Sequence, residues 1–158
     1  MVRKINQIGI VVKDLDKAVK FYQDFLGISF NIIPRPPESC ELHGQTSNFC
    51  LKTALGNVDG TQVEIIQVME GQTAHTEYLK QHGEGVHHFG YFVDDLDAEL
   101  AKCTSMGIGI ISKGEFMRTK WAYLDSESVS GIVHEFIELP KPKMRIKKEP
   151  APAEVKKE

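Results

Sequence analysis

The sequence contains one motif twice, and this repeat decides the predicted fold. Residues 7–16 read QIGIVVKDLD and residues 88–97 read HFGYFVDDLD, with the same offset at every position. In each copy an apolar run is followed by Asp-Leu-Asp, a pattern typical of a strand that leads into a capped helix. Such self-similarity indicates two copies of one structural module.

A helix follows the motif in both copies. Asp14 and Asp95 are suited to cap it, because a carboxylate accepts hydrogen bonds from the free N–H groups of the first turn. A glycine stands where each apolar pattern stops, so the helices are predicted to end near residues 26 and 106. The predicted apolar stripes are Leu15, Ala18, Val19, Tyr22, Phe25 and Leu26 in the first helix, and Leu96, Leu100 and Cys103 in the second.

Three strand-like runs follow each helix. They are residues 28–33, 48–55 and 62–68 in the first half, and 108–112, 120–124 and 132–138 in the second. Residues 34–45 are predicted to be an irregular loop, and 56–60 and 125–131 to be hairpin loops. The predicted fold class is α+β, with two βαβββ modules. Since neither module can bury its sheet alone, the two sheets should join into one curved, barrel-like mixed sheet with the helices outside.

The predicted domain spans residues 1–140. It comprises a first module at about 4–70, a linker helix at 74–83 and a second module at about 86–140. Residues 141–158 contain seven Lys or Arg and three Glu, are rich in proline and have few apolar residues. This composition predicts a disordered basic tail, which we interpret as a solubilising extension.

Composition excludes several classes of partner. Without the tail the chain carries a net charge of −7 and shows no aromatic–basic stripe, so no nucleic-acid partner is expected. No apolar run reaches the ~18–20 residues that span a bilayer, so no membrane partner is expected either. Cys40, Cys50 and Cys103 are odd in number and lack CxxC spacing, which predicts reduced thiols and a cytoplasmic protein.

Four polar residues occupy repeat-equivalent positions in otherwise apolar strands. Gln7 and His88 begin the motif, and strand alternation places both on the face that points away from the helix. Glu64 in VEII (63–66) corresponds to Glu135 in HEFI (134–137). A buried, unpaired carboxylate is costly, and metal coordination offsets that cost. The four residues are therefore predicted to hold one divalent metal ion, although each alone could be a solvent-facing strand residue.

The donor types narrow the choice of ion. Three oxygen donors and one imidazole suit a six-coordinate ion with two open positions, which leaves Co, Ni, Zn and Mn as candidates. His87 competes with His88 for the role of ligand, and the repeat alignment selects His88. His134 is expected to face away from the site. The remaining histidines, His43, His75 and His82, are expected at the surface.

These motifs resemble the vicinal oxygen chelate superfamily, which includes glyoxalase I, methylmalonyl-CoA epimerase, extradiol dioxygenases and bleomycin-resistance proteins. The resemblance covers about residues 5–139. It rests on the first motif, Phe21-Tyr22 with Leu26-Gly27, VEII, and IVHEF at 132–136. Residues 78–88, YLKQHGEGVHH, look most like methylmalonyl-CoA epimerase. The resemblance implies that Gln7, Glu64, His88 and Glu135 are the metal ligands and that the protein is a homodimer.

The resemblance also implies a reaction, namely proton transfer at the carbon next to a thioester carbonyl of an acyl-CoA. Glu135 would be the base, and the metal would act as a Lewis acid that stabilises the enolate. Glu41 and His43 are weak candidates for a second base. Arg35, Arg118 and Lys120 could meet the phosphates of CoA, or could be ordinary surface charges.

Two departures from the epimerase pattern keep other functions open. Epimerases usually have His where this chain has Gln7, and Gln at that position is found in some glyoxalase I enzymes. The catalytic Glu of epimerases has no secure counterpart within residues 41–48. The alternatives are a glyoxalase I-like enzyme acting on a hemithioacetal, and a metal-free ligand-binding or resistance module. An extradiol dioxygenase is disfavoured because Gln7 replaces one of the two histidines such iron sites need.

Overall fold

The computed structural model describes residues 3–141, apart from the side chain of Pro34. The first half contains β1 (Gln7–Val11), α1 (Leu15–Leu26), β2 (Phe30–Pro34), β3 (Glu38–Leu42), β4 (Gln45–Val58) and β5 (Thr61–Gly71). Helix α2 (Ala74–Gln81) connects the halves. The second half contains β6 (Gly85–Val93), α3 (Leu96–Ser105), β7 (Gly109–Phe116), β8 (Thr119–Asp125), α4 (Glu127–Ser130) and β9 (Val133–Glu138). The predicted basic tail, beyond Lys141, lies outside the described residues.

Eight of the nine strands found in residues 3–141 form a closed ring. Its order is β4-β3-β7-β8-β9-β6-β1-β5, and the pairing of β5 with β4 closes it. In each half the first and last strands pair in parallel, β1 with β5 and β6 with β9. Strand β2 lies outside the ring against the second part of β4. The predicted α+β class, with two modules joined in a barrel-like mixed sheet, is confirmed.

The caps of the two long helices follow the repeat. The side chain of Asp14 accepts a hydrogen bond from the backbone N–H of Lys17 at 3.0 Å, and Asp95 accepts one from Ala98 at the same distance. Gly27 ends α1 in the left-handed conformation, with φ at +67°. Within residues 3–141, no helix combines the length and the apolar content needed to cross a bilayer.

Each long helix covers one apolar core on the outside of the ring. Helix α1 packs through Leu15 and Val19 on a core that includes Val12 and Ile65, and α3 packs through Leu96 and Leu100 on the matching core of the second half. The predicted stripe of α1 is wrong at its last turn, where Phe25 and Leu26 are 70% and 55% exposed. Phe25 stacks instead on Phe21, which is also exposed, with ring centroids 5.4 Å apart.

The predicted loops are shorter than the sequence suggested. Residues 34–45 contain strand β3, which pairs with β4 along its length and with β7 through Glu41 and Leu42. Cys40 is the only buried residue of this strand, so the strand lacks the apolar alternation that marks a strand in sequence. Pairing with two neighbouring strands holds it in place. Strand β4 extends to Val58 and β5 begins at Thr61, which shortens the predicted loop 56–60. Helix α4 lies within the predicted loop 125–131.

Two glycines shape the contact between the modules. In the antiparallel pairing of β1 with β6, Gly9 lies opposite His88, and Gln7 lies opposite Gly90. A Cβ atom on Gly9 would lie 1.9 Å from Cε1 of His88, and a Cβ atom on Gly90 would lie 2.9 Å from Cβ of Gln7. The glycine of each module therefore leaves room for a polar side chain of the other.

Replacing Gly9 with alanine should destabilise the fold. The added methyl overlaps the fully buried ring of His88, and overpacking of this kind costs about 1–3 kcal/mol. Urea denaturation measures the loss. The matched control is Gly109→Ala, another strand glycine, where the nearest atom is 3.4 Å away and the change should stay within about 0.5 kcal/mol. A Gly9→Ala protein as stable as the parent would contradict the packing of His88 against β1.

Candidate functional site

The side chains of Gln7, Glu64, His88 and Glu135 meet inside the barrel. The Nε2 atom of His88 lies 3.1 Å from Oε2 of Glu135, 3.3 Å from Oε1 of Gln7 and 3.9 Å from Oε2 of Glu64. Gln7, His88 and Glu135 are at most 5% exposed, and the Glu64 side chain is 13% exposed. The structure thus brings together all four residues singled out in the sequence.

The strand register explains this convergence. Strands β5, β1, β6 and β9 lie side by side. On the first three of them, one row of paired residues contains Glu64, Gly9 and His88. The row two residues along contains Gln62, Gln7, Gly90 and Glu135. In each row the glycine leaves space over the sheet, and the large polar side chains lean into that space.

Gln62 contributes to the site although sequence reasoning did not select it. Its Oε1 accepts a hydrogen bond of 2.7 Å from Nε2 of Gln7. This bond leaves the Gln7 carbonyl oxygen directed at His88. The signal for Gln62 was its position two residues before Glu64, which places both side chains on one face of the strand.

Burial and neighbouring charges shift the pKa values of Glu64 and His88. Burial, reinforced by the charge of Glu135, raises the pKa of Glu64 to about 7, although His88 opposes the shift. Burial alone would lower the pKa of His88, but the carboxylates of Glu135 and Glu64 outweigh it and raise that pKa. Oε2 of Glu135 is buried and lies 3.1 Å from Nε2 of His88. Three oxygen donors and one imidazole nitrogen fit a divalent ion, whose positive charge would balance the carboxylates of Glu64 and Glu135.

A cavity of about 510 Å³ opens beside these side chains. Gln7, Glu64 and Glu135 form one part of its wall, together with Tyr123 and His75. The rest is mainly apolar and includes Ile33, Phe49, Leu51, Leu55, Phe92, Phe116, Trp121, Ile137 and Leu139. An apolar cavity of this size with a few convergent polar groups is typical of a small-molecule site.

The expectation that His75 lies at the surface is wrong. It is 4% exposed, because the first turn of α2 packs its residues Ala74 and His75 inward. Its Nε2 atom lies 3.1 Å from the Tyr123 hydroxyl, and burial lowers its pKa to about 3. Together with His87 and His88 it forms a cluster in which one potential ligand atom of each residue lies within 4.8 Å of the others.

The other histidines lie away from the site, as predicted. His134 stacks on Tyr91 at 5.6 Å and is bonded to Ser126. His43 pairs with Glu77 at 3.0 Å, and His82 lies 3.3 Å from Glu127.

The weak candidates for a second base are not part of the cavity. Glu41 forms an ion pair of 3.4 Å with Lys113, and neither it nor His43 lines the cavity wall. Strand β4 presents Phe49, Leu51, Thr53 and Leu55 there. Within the described part of the chain, Glu64 and Glu135 are the only carboxylates that line the cavity.

The positive residues proposed to meet CoA phosphates are not free for that role in the cavity. Arg35 lines it, but Nε and Nη2 each donate a hydrogen bond of 2.6 Å to Glu38, and the guanidinium lies 4.2 Å from the Phe116 ring centroid. Arg118 and Lys120 do not line the cavity, and Lys120 lies 3.5 Å from Asp97.

Known proteins share this fold and parts of this sequence. The chain is 29% identical over 98 residues to mouse mitochondrial methylmalonyl-CoA epimerase, a match covering 61% of this chain and 49% of that protein, so it spans about half the mouse protein's length. It is 26% identical over 116 residues to the ethylmalonyl-CoA/methylmalonyl-CoA epimerase of Cereibacter sphaeroides, covering 73% and 79% of the two chains.

A solved structure shows the same architecture. A variant of Streptomyces coelicolor methylmalonyl-CoA epimerase in complex with 2-nitronate-propionyl-CoA superposes with a TM-score of 0.69 at 20% identity, over 87% of this chain and 95% of that one. This likeness shows the shared fold. Residues 6–123, most of the chain, match a family described as the glyoxalase/bleomycin resistance protein/dioxygenase superfamily. The chain belongs to the glyoxalase/bleomycin resistance protein/dioxygenase superfamily.

Proposed function

We propose that this protein is a metal-dependent isomerase that transfers a proton at the carbon next to the thioester carbonyl of an acyl-CoA, with methylmalonyl-CoA epimerisation as the leading reaction. The observation that carries the proposal is the convergence of Gln7, Glu64, His88 and Glu135 at the wall of a mainly apolar cavity. The epimerases that the chain resembles supply the substrate class.

Gln7, Glu64, His88 and Glu135 would hold a divalent ion, with Co, Ni, Zn and Mn as candidates. When bound, such an ion supplies Lewis acidity to substrate oxygens. The three-histidine cluster is the competing donor set. We favour the four-residue set because its two carboxylates balance the charge of a dication. In addition, three of its four members line the cavity, whereas one of the three histidines, His75, does so.

Glu135 is the proposed base. Its carboxylate lines the cavity, is 5% exposed and lies beside Tyr123 across the β8–β9 pairing. A buried carboxylate in a mainly apolar wall meets a substrate C–H with few competing polar groups, which favours proton abstraction. The apolar walls would exclude water while the proton is held on Glu135.

A glyoxalase-type reaction is the second candidate, and one observation favours it. Epimerisation by two bases needs a second proton donor on the opposite face, and the cavity has no carboxylate beyond Glu64 and Glu135 within the described residues. A single base can move a proton between neighbouring carbons on one face. Gln7, which occurs in some glyoxalase I enzymes, is consistent with this alternative.

Substituting Glu64 by Gln should weaken Co²⁺ binding by at least about tenfold, because the variant removes a charged ligand of the proposed ion. Isothermal titration of the metal-free protein with Co²⁺ measures the change. Glu77→Gln, at an exposed carboxylate paired with His43, is the matched control and should bind as the parent does. Unchanged affinity in Glu64→Gln would place the ion in the three-histidine cluster instead. A parent protein that binds no ion would favour the metal-free binding module.

The affinity for Co²⁺ should rise with pH between about pH 6 and pH 8. In the metal-free protein the raised pKa values of Glu64, about 7, and of His88 keep protons on the ligands at the lower pH. The ion must displace those protons, so binding releases them and strengthens as they are lost. Titration in buffers of different ionisation enthalpy counts the released protons. Affinity that is flat across this range would show that these two groups do not bind the ion.

Glu135→Gln should lower deuterium exchange from D₂O into methylmalonyl-CoA by about 10²–10⁴-fold, since the amide cannot accept the substrate proton. Mass spectrometry of the recovered thioester measures the exchange. Glu41→Gln, outside the cavity, should exchange at the parental rate.

Full exchange in Glu135→Gln would refute its role as base. Turnover of the glutathione–methylglyoxal adduct in place of methylmalonyl-CoA would transfer the proposal to the glyoxalase-type reaction.

A further inference from the structure

A bulge in β6 places two successive histidines on the same side of the strand. Neighbouring strand residues normally point to opposite faces. Here the pairing with β1 passes from Gly9–His88 directly to Ile10–Val86, so His87 is an extra residue on β6. Bulges of this kind redirect side chains. As a result His87 and His88 are both buried, at 2% and 0% exposure, and their Nδ1 atoms lie 3.0 Å apart.

Two imidazole nitrogens at this distance share one proton. If neither Nδ1 carried hydrogen, two lone pairs would face each other without water between them, and if both did, two N–H groups would collide. One ring is therefore the donor and the other the acceptor. A bound ion decides between them. Nε2 of His88 lies among the oxygens of Gln7, Glu64 and Glu135, and as a ligand it must offer a lone pair, which leaves the hydrogen of the neutral ring on Nδ1.

We propose that His87 is a positioning residue that accepts a hydrogen bond from Nδ1–H of His88 and so presents the Nε2 lone pair of His88 to the metal ion. This inference rests on the proposed function, since it assigns a task to His87 only if Nε2 of His88 is a ligand. A metal-binding histidine usually donates its other N–H to a carboxylate or a carbonyl, which fixes its tautomer and orientation. In this chain an imidazole takes that place.

The ring of His87 is itself held on several sides. His75 packs against it with ring centroids 4.8 Å apart, and Tyr78 and Tyr123 contact it edge-on at 5.1 Å. These three rings are fixed in turn. The Tyr78 hydroxyl donates to the carbonyl of Val86 at 2.8 Å, and the Tyr123 hydroxyl is bonded to Nε2 of His75 at 3.1 Å. This packing buries His75 and restricts rotation of the His87 ring away from His88.

The tautomers can be read directly from the parent protein. Long-range ¹H–¹⁵N correlation spectra of the Zn²⁺-loaded form should show a proton on Nδ1 of His88 and none on Nδ1 of His87. The reverse assignment would overturn the proposal. A protein that binds no Zn²⁺ would refute the proposed function and this inference with it, whereas a loaded protein with the proton on Nδ1 of His87 would overturn this inference alone.

Two substitutions at one position test the consequence for binding. His87→Leu removes the acceptor, and Co²⁺ affinity should fall by about 10–100-fold. His87→Asn restores an acceptor, because its Oδ1 occupies the place on Cγ that Nδ1 has in histidine, and most of the affinity should return. His82→Leu, at an exposed histidine, is the control and should bind as the parent does.

Affinity and stability together separate positioning from packing. Urea denaturation of each metal-free variant reports the packing loss. If His87→Leu binds Co²⁺ as the parent does, or if His87→Asn binds as weakly as His87→Leu, the proposal fails. If His87→Leu does not fold, the comparison of His87→Asn with the parent and the tautomer spectra decide it.

Discussion

The imidazole of His88 occupies the space that a side chain on Gly9 would fill, and the rest of the site depends on this contact. Only a residue without Cβ lets the ring lie over β1 inside the barrel. The ring then lies within 4 Å of an oxygen of Gln7, Glu64 and Glu135. The reciprocal contact of Gln7 over Gly90 sets the other side of the site. The absence of a side chain at Gly9 and at Gly90 thus determines where four polar side chains meet.

The closed ring makes the site a shared property of both halves. Gln7 and Glu64 come from the first module, and His88 and Glu135 come from the second. Within each module the two residues lie on the first and last strands, which pair in parallel. The antiparallel pairing of β1 with β6 then joins the two pairs. Neither module contains a complete donor set, so the site exists only when the halves are docked.

The sequence predicted the features that repeat. The duplicated motif led to the module order, to the caps at Asp14 and Asp95, and to two equivalent pairs of polar residues on inward-facing strand positions. The four proposed ligands could be selected because strand periodicity and the internal alignment act on the same residues. What such periodicity cannot show is which ion, if any, those residues hold.

Features that depend on how the elements pack against one another were missed. Strand β3 is held by its neighbours and not by apolar alternation, so it read as a loop. His75 lies in a polar segment whose burial depends on how α2 docks, which no local pattern encodes. The bulge at His87 interrupts the alternation that the prediction relied on. The outward position of Phe25 was missed because helical spacing does not reveal where the helix leaves the sheet.

The unlike donors at the two equivalent positions have a consequence for stereochemistry. Two identical modules assembled as separate subunits would present the same group from both sides. Because a single polypeptide carries both copies, Gln7 and His88 can differ, with a neutral amide on one side and an imidazole on the other. The pocket thereby loses the two-fold rotational equivalence that identical modules would give it. A flat, prochiral reaction intermediate lying between the halves would meet two chemically distinct walls, and the chain could then distinguish the two faces from which a proton arrives.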